Sequence, residues 1–501
     1  MVKDALKVLN KELNLQPVTE TEILKVLYRL VMQDSIVVEE NRVYITKQHQ
    51  EEEDTASMIA RKLHEQIPVL TIEKELEEAQ EDLNITLSEQ QKEAVRMVFA
   101  NPISIITGGP GTGKTTVLKI ILYIYQKKCG NEVKLMAPTG RAARRMAEST
   151  GSGDATTMHM ALGLFGDGDY EALIDELSAD FINVDEVSMV DMHLAYEFFY
   201  KVKAGARVLL VGDVHQLPSV GAGDVFRQLI LCGKIPVTVL NLVYRQGKDS
   251  NIPINAQLIN EGKTNLQWGD DFQMVECSGA DAAAQIVKNI YLKEIQMYGM
   301  EQVQILSPYK VRSAAGVLEL NRSLQDEVNP PVSGKRELHL GGEIFREGDR
   351  ILQNKNTEFA SNGDLGTLVQ IAEDEDNNPL VQIVFTDGRR VKYEAEQVEM
   401  IEHANAITIH KSQGSECQVV IIPWLKAFYP MLKRNIFYTG ITRAKQRVYI
   451  VGEWKAVCQA IHTDDTGTRK TMLAVKIQQY CERYQRQENR RIPATICNRA
   501  V

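Results

Sequence analysis

The segment Gly108-Gly109-Pro110-Gly111-Thr112-Gly113-Lys114-Thr115 constrains the fold of this 501-residue chain more than any other. It matches G-x-x-x-x-G-K-[ST], follows the apolar run Ile103 to Thr107, and opens a helical stretch from Thr116 to Tyr125. A turn of this composition lets backbone N–H groups point inward around a phosphate, and the N-terminus of the following helix adds partial positive charge. In that geometry Lys114 spans the β- and γ-phosphates of a nucleotide, and the Thr115 hydroxyl holds magnesium. Gly108, Gly109, Pro110, Gly111, Thr112, Gly113 and Thr116 complete the expected cradle, which makes ATP and Mg2+ the expected small molecules.

Such a loop needs a carboxylate at a neighbouring strand end. Phe181-Ile182-Asn183-Val184 leads into Asp185-Glu186. Asp185 is expected to bind the metal through its water shell, and Glu186 to accept a proton from the water that attacks the γ-phosphate. Asn183 is polar within a strand that reads as buried, so it needs a hydrogen-bond partner that the sequence does not identify.

Around these motifs the chain alternates apolar runs with helical stretches. Ile103 to Thr107, Val133 to Ala137, Phe181 to Val184, Val208 to Val211 and Val237 to Leu240 predict a parallel sheet covered by helices, a first motor domain over 87–245. A second series, Val303 to Leu306, Ala406 to Ile409, Val419 to Ile422 and Val448 to Val451, predicts another such domain over 246–337 and 404–487. Between its halves, residues 338–403 read as a small inserted β-barrel of short alternating runs punctuated by Asn362-Gly363, Asn377-Asn378 and Asp387-Gly388.

Residues 1–50 hold two helical stretches and a hairpin around Glu39-Glu40-Asn41, which fits a winged-helix-like fragment and equally a small accessory packing unit. Residues 51–86, with Glu51-Glu52-Glu53-Asp54, read as a solvated acidic connector, and 488–501 as a tail. The net charge of -10 argues against a generally basic DNA-coating protein, so any nucleic acid must lie in a local groove. Seven scattered cysteines lack paired metal or redox spacing, and no apolar run reaches membrane-spanning length, so a cytoplasmic protein without membrane contact is expected.

Further motifs narrow the class. Ala137-Pro138-Thr139-Gly140-Arg141-Ala142-Ala143, Thr156-Thr157-Met158-His159, Gly212-Asp213-Val214-His215-Gln216-Leu217-Pro218-Ser219-Val220, Leu242-Val243-Tyr244-Arg245-Gln246, Ala406-Ile407-Thr408-Ile409-His410-Lys411-Ser412-Gln413-Gly414-Ser415-Glu416 and Tyr438-Thr439-Gly440-Ile441-Thr442-Arg443-Ala444-Lys445 follow in fixed order. In that order they resemble the RecD family, of RecD/TraA type, among superfamily-one DNA helicases, over roughly 87–452. The resemblance implies two RecA-like P-loop domains of α/β class. Gln216 would sense the γ-phosphate, Gln91 in Leu87-Ser88-Glu89-Gln90-Gln91 would contact the base, and Glu416 would meet the ribose.

Arg245 and Arg443 would stabilise γ-phosphate charge, because a guanidinium matches phosphate oxygens bidentately. Pro138, Thr139, Arg141, His159, His410 and Ser412 would meet DNA; Arg141, Arg144 and Arg145 fit a solvated helix face equally well. The family is expected to move 5′ to 3′ on single-stranded DNA, to open tailed duplexes and to act in repair or recombination, with proteins of those pathways as partners. Here the segment at about 160–180, where relatives carry a wedge hairpin, is short and centred on Gly166-Asp167-Gly168-Asp169. Two alternatives stay open: an ATP-regulated DNA-remodelling subunit without unwinding, and an RNA-directed helicase.

Overall fold

The computed structural model describes residues 19–491 except 41, 131, 152, 154, 165–174, 242–249, 358, 374–377, 466 and 468. Its first sheet has six parallel strands, in the order Ala155–Thr157, Val133–Ala137, Phe181–Val184, Arg207–Gly212, Ile103–Gly108 and Val237–Leu240. Ile103–Gly108, Phe181–Val184 and Arg207–Gly212 are buried at every position. That burial fits their continuous apolar composition, since helices cover both faces of a parallel sheet. One face packs on Phe99, Val117, Leu118 and Ile121, the other on Phe198, Leu229 and Ile59.

The second sheet has five parallel strands, ordered Ala406–Thr408, Val303–Ser307, Cys417–Trp424, Ala444–Gly452 and Phe272–Glu276. Ala155–Thr157 and Phe272–Glu276 are edge strands that the sequence reading did not anticipate. Both are short or only half-buried, so neither shows a continuous apolar run. The inserted unit is a five-stranded antiparallel sheet ordered Arg390–Tyr393, Pro379–Phe385, Leu365–Glu373, Arg350–Gln353 and Ile401–His403, with its own core of Ile351, Leu368, Ile383 and Phe385. A separate hairpin, Glu337–Leu340 with Glu343–Arg346, precedes it.

Two expectations are corrected. The acidic run is not a solvated connector: helix Thr46–Leu63 packs into the first domain, and Glu51 and Glu52 are 6% and 4% exposed. Nor do the last described residues stay with the second domain, because Leu473, Ile477 and Cys481 of helix Leu473–Arg491 join the core of the first. The two helices lie side by side, and the charges meet there. Lys476, itself buried, stands 2.7 Å from Glu53 Oε2 and 3.2 Å from Glu39 Oε2. Glu52 accepts from Thr471 Oγ1 at 2.5 Å and Met472 N at 3.1 Å, and Glu51 accepts from His193 Nδ1 at 2.8 Å. Paired in this way, carboxylates tolerate burial that would expel them alone.

On the way between domains, Arg469 donates to the carbonyls of Ser219, Gly221 and Gly223 at 2.6, 2.8 and 2.6 Å. Helix Glu20–Met32 and the hairpin Ile36–Glu39 with Arg42–Ile45 stand at the N-terminal side; the apolar residues Ala5, Leu6, Val8 and Leu9 lie outside the described residues. No helix among the described residues is long and apolar enough to cross a membrane.

Candidate nucleotide site between two motor domains

Strand Ile103–Gly108 is hydrogen-bonded on both sides and delivers Gly108 to the carboxyl end of the first sheet, where ligands of open α/β sheets bind. Gly111 and Gly113 have φ of 76° and 87°, a left-handed conformation that glycine adopts without a Cβ clash. At Gly108 the space is also closed, because a Cβ would lie 2.7 Å from the Leu240 carbonyl oxygen. Lys114 opens helix Lys114–Lys128, and its Nζ donates to the Gly108 and Gly109 carbonyls at 2.6 and 3.0 Å. The loop is thus folded around its own lysine, with backbone acceptors that phosphate oxygens can replace.

Strand Phe181–Val184 ends beside it. Asp185 Oδ1 accepts from the Glu186 backbone N–H at 2.8 Å, and Glu186 has a left-handed φ of 52°. That turn brings two successive carboxylates to one cavity rather than to opposite faces. Burial pushes both carboxyls above the usual range, and at Glu186 the charge of Asp185 adds to it; Lys114 and Arg145 pull both down, joined by Arg443 at Glu186. Asn183 Nδ2 donates to Met146 Sδ at 3.2 Å, while its buried Oδ1 has no hydrogen-bond partner among the described residues.

The cavity, about 300 Å³, is walled from two domains. Lys114, Thr115, Asp185, Glu186 and Gln216 come from the first, Glu416 and Arg443 from the second. Arg443 is 2% exposed; its Nε donates to Thr439 O at 3.2 Å and Nη1 to Ser415 O at 3.2 Å, which aims the guanidinium. Gln216 Nε2 donates to Asp213 Oδ2 at 3.4 Å, while its buried Oε1 has no hydrogen-bond partner among the described residues. An unpaired buried acceptor invites a donor such as a bound water.

The seam between domains is also bonded. Tyr438 Oη donates to Asp213 Oδ2 at 2.9 Å, Leu217 N to Thr439 Oγ1 at 3.0 Å, and Gln413 Nε2 to Leu217 O at 3.0 Å. The motif reading gave no role to Tyr438, Asp213, Thr439 or Gln413, although all four lie inside quoted motifs; their partners sit in another motif far along the chain. The donor set fits a hard cation: the Thr115 hydroxyl and Asp185 carboxylate are oxygen ligands suited to magnesium. No group of three or more His, Cys, Asp or Glu that could hold a metal occurs among the described residues, so such an ion would share its shell with phosphate oxygens and water.

Several expected residues stand elsewhere. Gln91 is buried behind the loop, not in the cavity wall: its Oε1 accepts from Ser88 N at 3.0 Å, and its Nε2 donates to Thr112 O at 3.2 Å. Arg245 lies outside the described residues, as do Gly166 to Asp169 of the shortened wedge segment.

The solvated-face alternative for Arg141, Arg144 and Arg145 is overturned, because helix Gly140–Thr150 faces the second domain and the insert. Arg144 pairs with Asp364 and Asp387, and Arg145 with Glu416. Arg141 is half-buried, its enclosed Nη1 unpaired among the described residues, and burial pushes its pKa down to about 10. Ser412 is buried too, its hydroxyl donating to Ile409 O at 2.7 Å, so it presents no donor to a strand. Thr139 caps helix Gly140–Thr150 through Ala142 N at 3.3 Å, Pro138 is half-buried and His159 is exposed. His410 lines a second interdomain cavity of about 400 Å³ with Pro218, Ser219, Lys433 and Arg469.

Three family models match: an AAA domain at residues 86–280, the SH3 domain of ATP-dependent RecD-like DNA helicases at 320–385, and a UvrD-like helicase C-terminal domain at 403–451. The chain is 35% identical over 370 residues to the ATP-dependent RecD2 DNA helicase of Deinococcus radiodurans, covering 74% of this chain and 50% of that one. It is 27% identical over 463 residues to the RecBCD enzyme subunit RecD of Haemophilus influenzae, covering 76% of this chain and 72% of that one. A crystal structure of Pif1 helicase from Candida albicans overlaps at a TM-score of 0.47 and 18% identity, over 81% of this chain and 100% of that one. The chain therefore spans half the length of the RecD2 relative.

Proposed function

The chain is RecD-like, of helicase superfamily one, and from that premise we propose that it is an ATP-driven motor that moves 5′ to 3′ along single-stranded DNA and opens tailed duplexes. The observation that supports this best is the cavity walled by Lys114, Asp185 and Glu186 on one domain and Arg443 on the other. One triphosphate held there makes contacts with both domains, so its binding favours the closed cleft and its hydrolysis releases it.

In the reaction, a water oxygen attacks the γ-phosphorus and the bond to the β-bridging oxygen breaks. ADP departs, and the water proton passes to the Glu186 carboxylate. Lys114 and Arg443 neutralise charge that grows on the phosphate oxygens, and Gln216 Oε1, unpaired among the described residues, would accept from the attacking water. Magnesium, held by Thr115 and Asp185, would supply further charge neutralisation.

DNA would cross the carboxyl ends of both sheets past Pro138, Thr139, His159 and His410, gripped alternately by each domain. The direction, the preference for single-stranded DNA and a setting in repair or recombination are carried over from the family. The test is ATP turnover without nucleic acid, with single-stranded DNA and with RNA, followed by unwinding of 5′-tailed and 3′-tailed duplexes. Strong stimulation by DNA and opening of the 5′-tailed substrate are expected. Stimulation by RNA alone, or turnover with no strand separation on either tail, would replace this reading with one of the two alternatives.

A further inference from the structure

Helix Gly140–Thr150 carries two adjacent arginines that leave the first domain in different directions. Arg144 turns to Asp364 and Asp387 of the inserted sheet. Arg145 turns into the nucleotide cavity and lines it with Lys114, Asp185 and Glu186. There its Nη2 donates to Glu416 Oε1 of the second domain, while Glu416 Oε2 stands 3.5 Å from Lys445. The motif reading assigns Arg145 no chemical role.

A guanidinium offers five donors in a rigid fork, and the bond to Glu416 Oε1 is made by Nη2 of this one. Its charge reaches both carboxylates at the end of strand Phe181–Val184, where the reacting phosphate would lie. We infer that Arg145 is a further arginine of the nucleotide site, contributed by the same domain as the phosphate loop, and that it binds the terminal phosphate as the bond to ADP breaks. Glu416 holds it poised in the free chain. When nucleotide enters, the ribose takes Glu416 and the phosphate, with more negative charge than one carboxylate, takes the guanidinium.

This rests on the reading of the cavity as the ATP site. It is tested by calorimetry of wild type, Arg145→Ala, Arg145→Lys and Lys114→Ala with magnesium and either ADP or ADP plus aluminium fluoride, which imitates the transferring phosphate. Arg145→Ala should bind ADP within about threefold of wild type. It should lose about 10- to 100-fold of the tightening that aluminium fluoride brings, as expected for one hydrogen bond to a charged group. Arg145→Lys, a point charge without the fork, should recover part of it. Full tightening in Arg145→Ala overturns the inference. Should that variant fail to fold, Arg145→Gln is measured in its place with the same two outcomes. Unchanged binding of both ligands by Lys114→Ala would instead overturn the ATP site itself.

Discussion

Glu186 holds a left-handed backbone that costs a non-glycine residue on the order of 1–3 kcal/mol, and it sits at the end of a fully buried strand. The surrounding structure sustains that conformation, and the result is a carboxylate inside the cavity beside Asp185. Glu186→Gln keeps the shape and removes the proton acceptor. It is therefore expected to bind nucleotide normally and to lower turnover by about 10² to 10⁴, measured in single-turnover hydrolysis.

At this scale the sequence was most legible where chemistry is local. The loop and the Asp185-Glu186 pair depend on contiguous residues, and both stand in one cavity. Gln91 and Ser412 were less legible, because a motif position does not say whether a side chain is already engaged by its own backbone neighbours.

Between elements, the docking of helix Leu473–Arg491 on Thr46–Leu63 was the part the sequence hid. An acidic run reads as solvated unless its partners are visible, and Tyr480, which donates to Glu53 at 2.8 Å, lies 427 residues further along. Lys476→Met would leave Glu39, Glu52 and Glu53 facing a neutral side chain, with Glu52 fully enclosed. Glu52 keeps its bonds from Thr471 and Met472 and Glu53 its bond from Tyr480, so losing the charged partner is expected to cost about 1–3 kcal/mol, a loss that denaturant unfolding measures.

The same contact sets a pH dependence. Burial alone would raise Glu53, but hydrogen bonds from Lys476 and Tyr480 override it and hold the carboxyl below its usual range. Its folded pKa is depressed, so its contribution is present above the unfolded carboxylate pKa and lost as pH falls through the folded one. In Lys476→Met that acid-side loss should shrink.

For the whole molecule, the two-sheet architecture was legible because each buried strand announces itself as a continuous apolar run. The association between sheets was not, since it rests on polar pairs such as Tyr438 with Asp213 and Leu217 with Thr439, whose members are individually ordinary. Those bonds, together with Arg469 clasping the Ser219–Gly223 carbonyls, tie the loop bearing Gln216 to the second domain.

The central claim is that a single nucleotide is worked on from both domains at once. Its most direct test is DNA-stimulated ATP hydrolysis by Arg443→Ala, measured beside its nucleotide affinity. The account predicts affinity within a few-fold of wild type and turnover reduced by about 10³ or more, the effect of removing an arginine from a phosphoryl-transfer site. Undiminished turnover in the folded variant would contradict it.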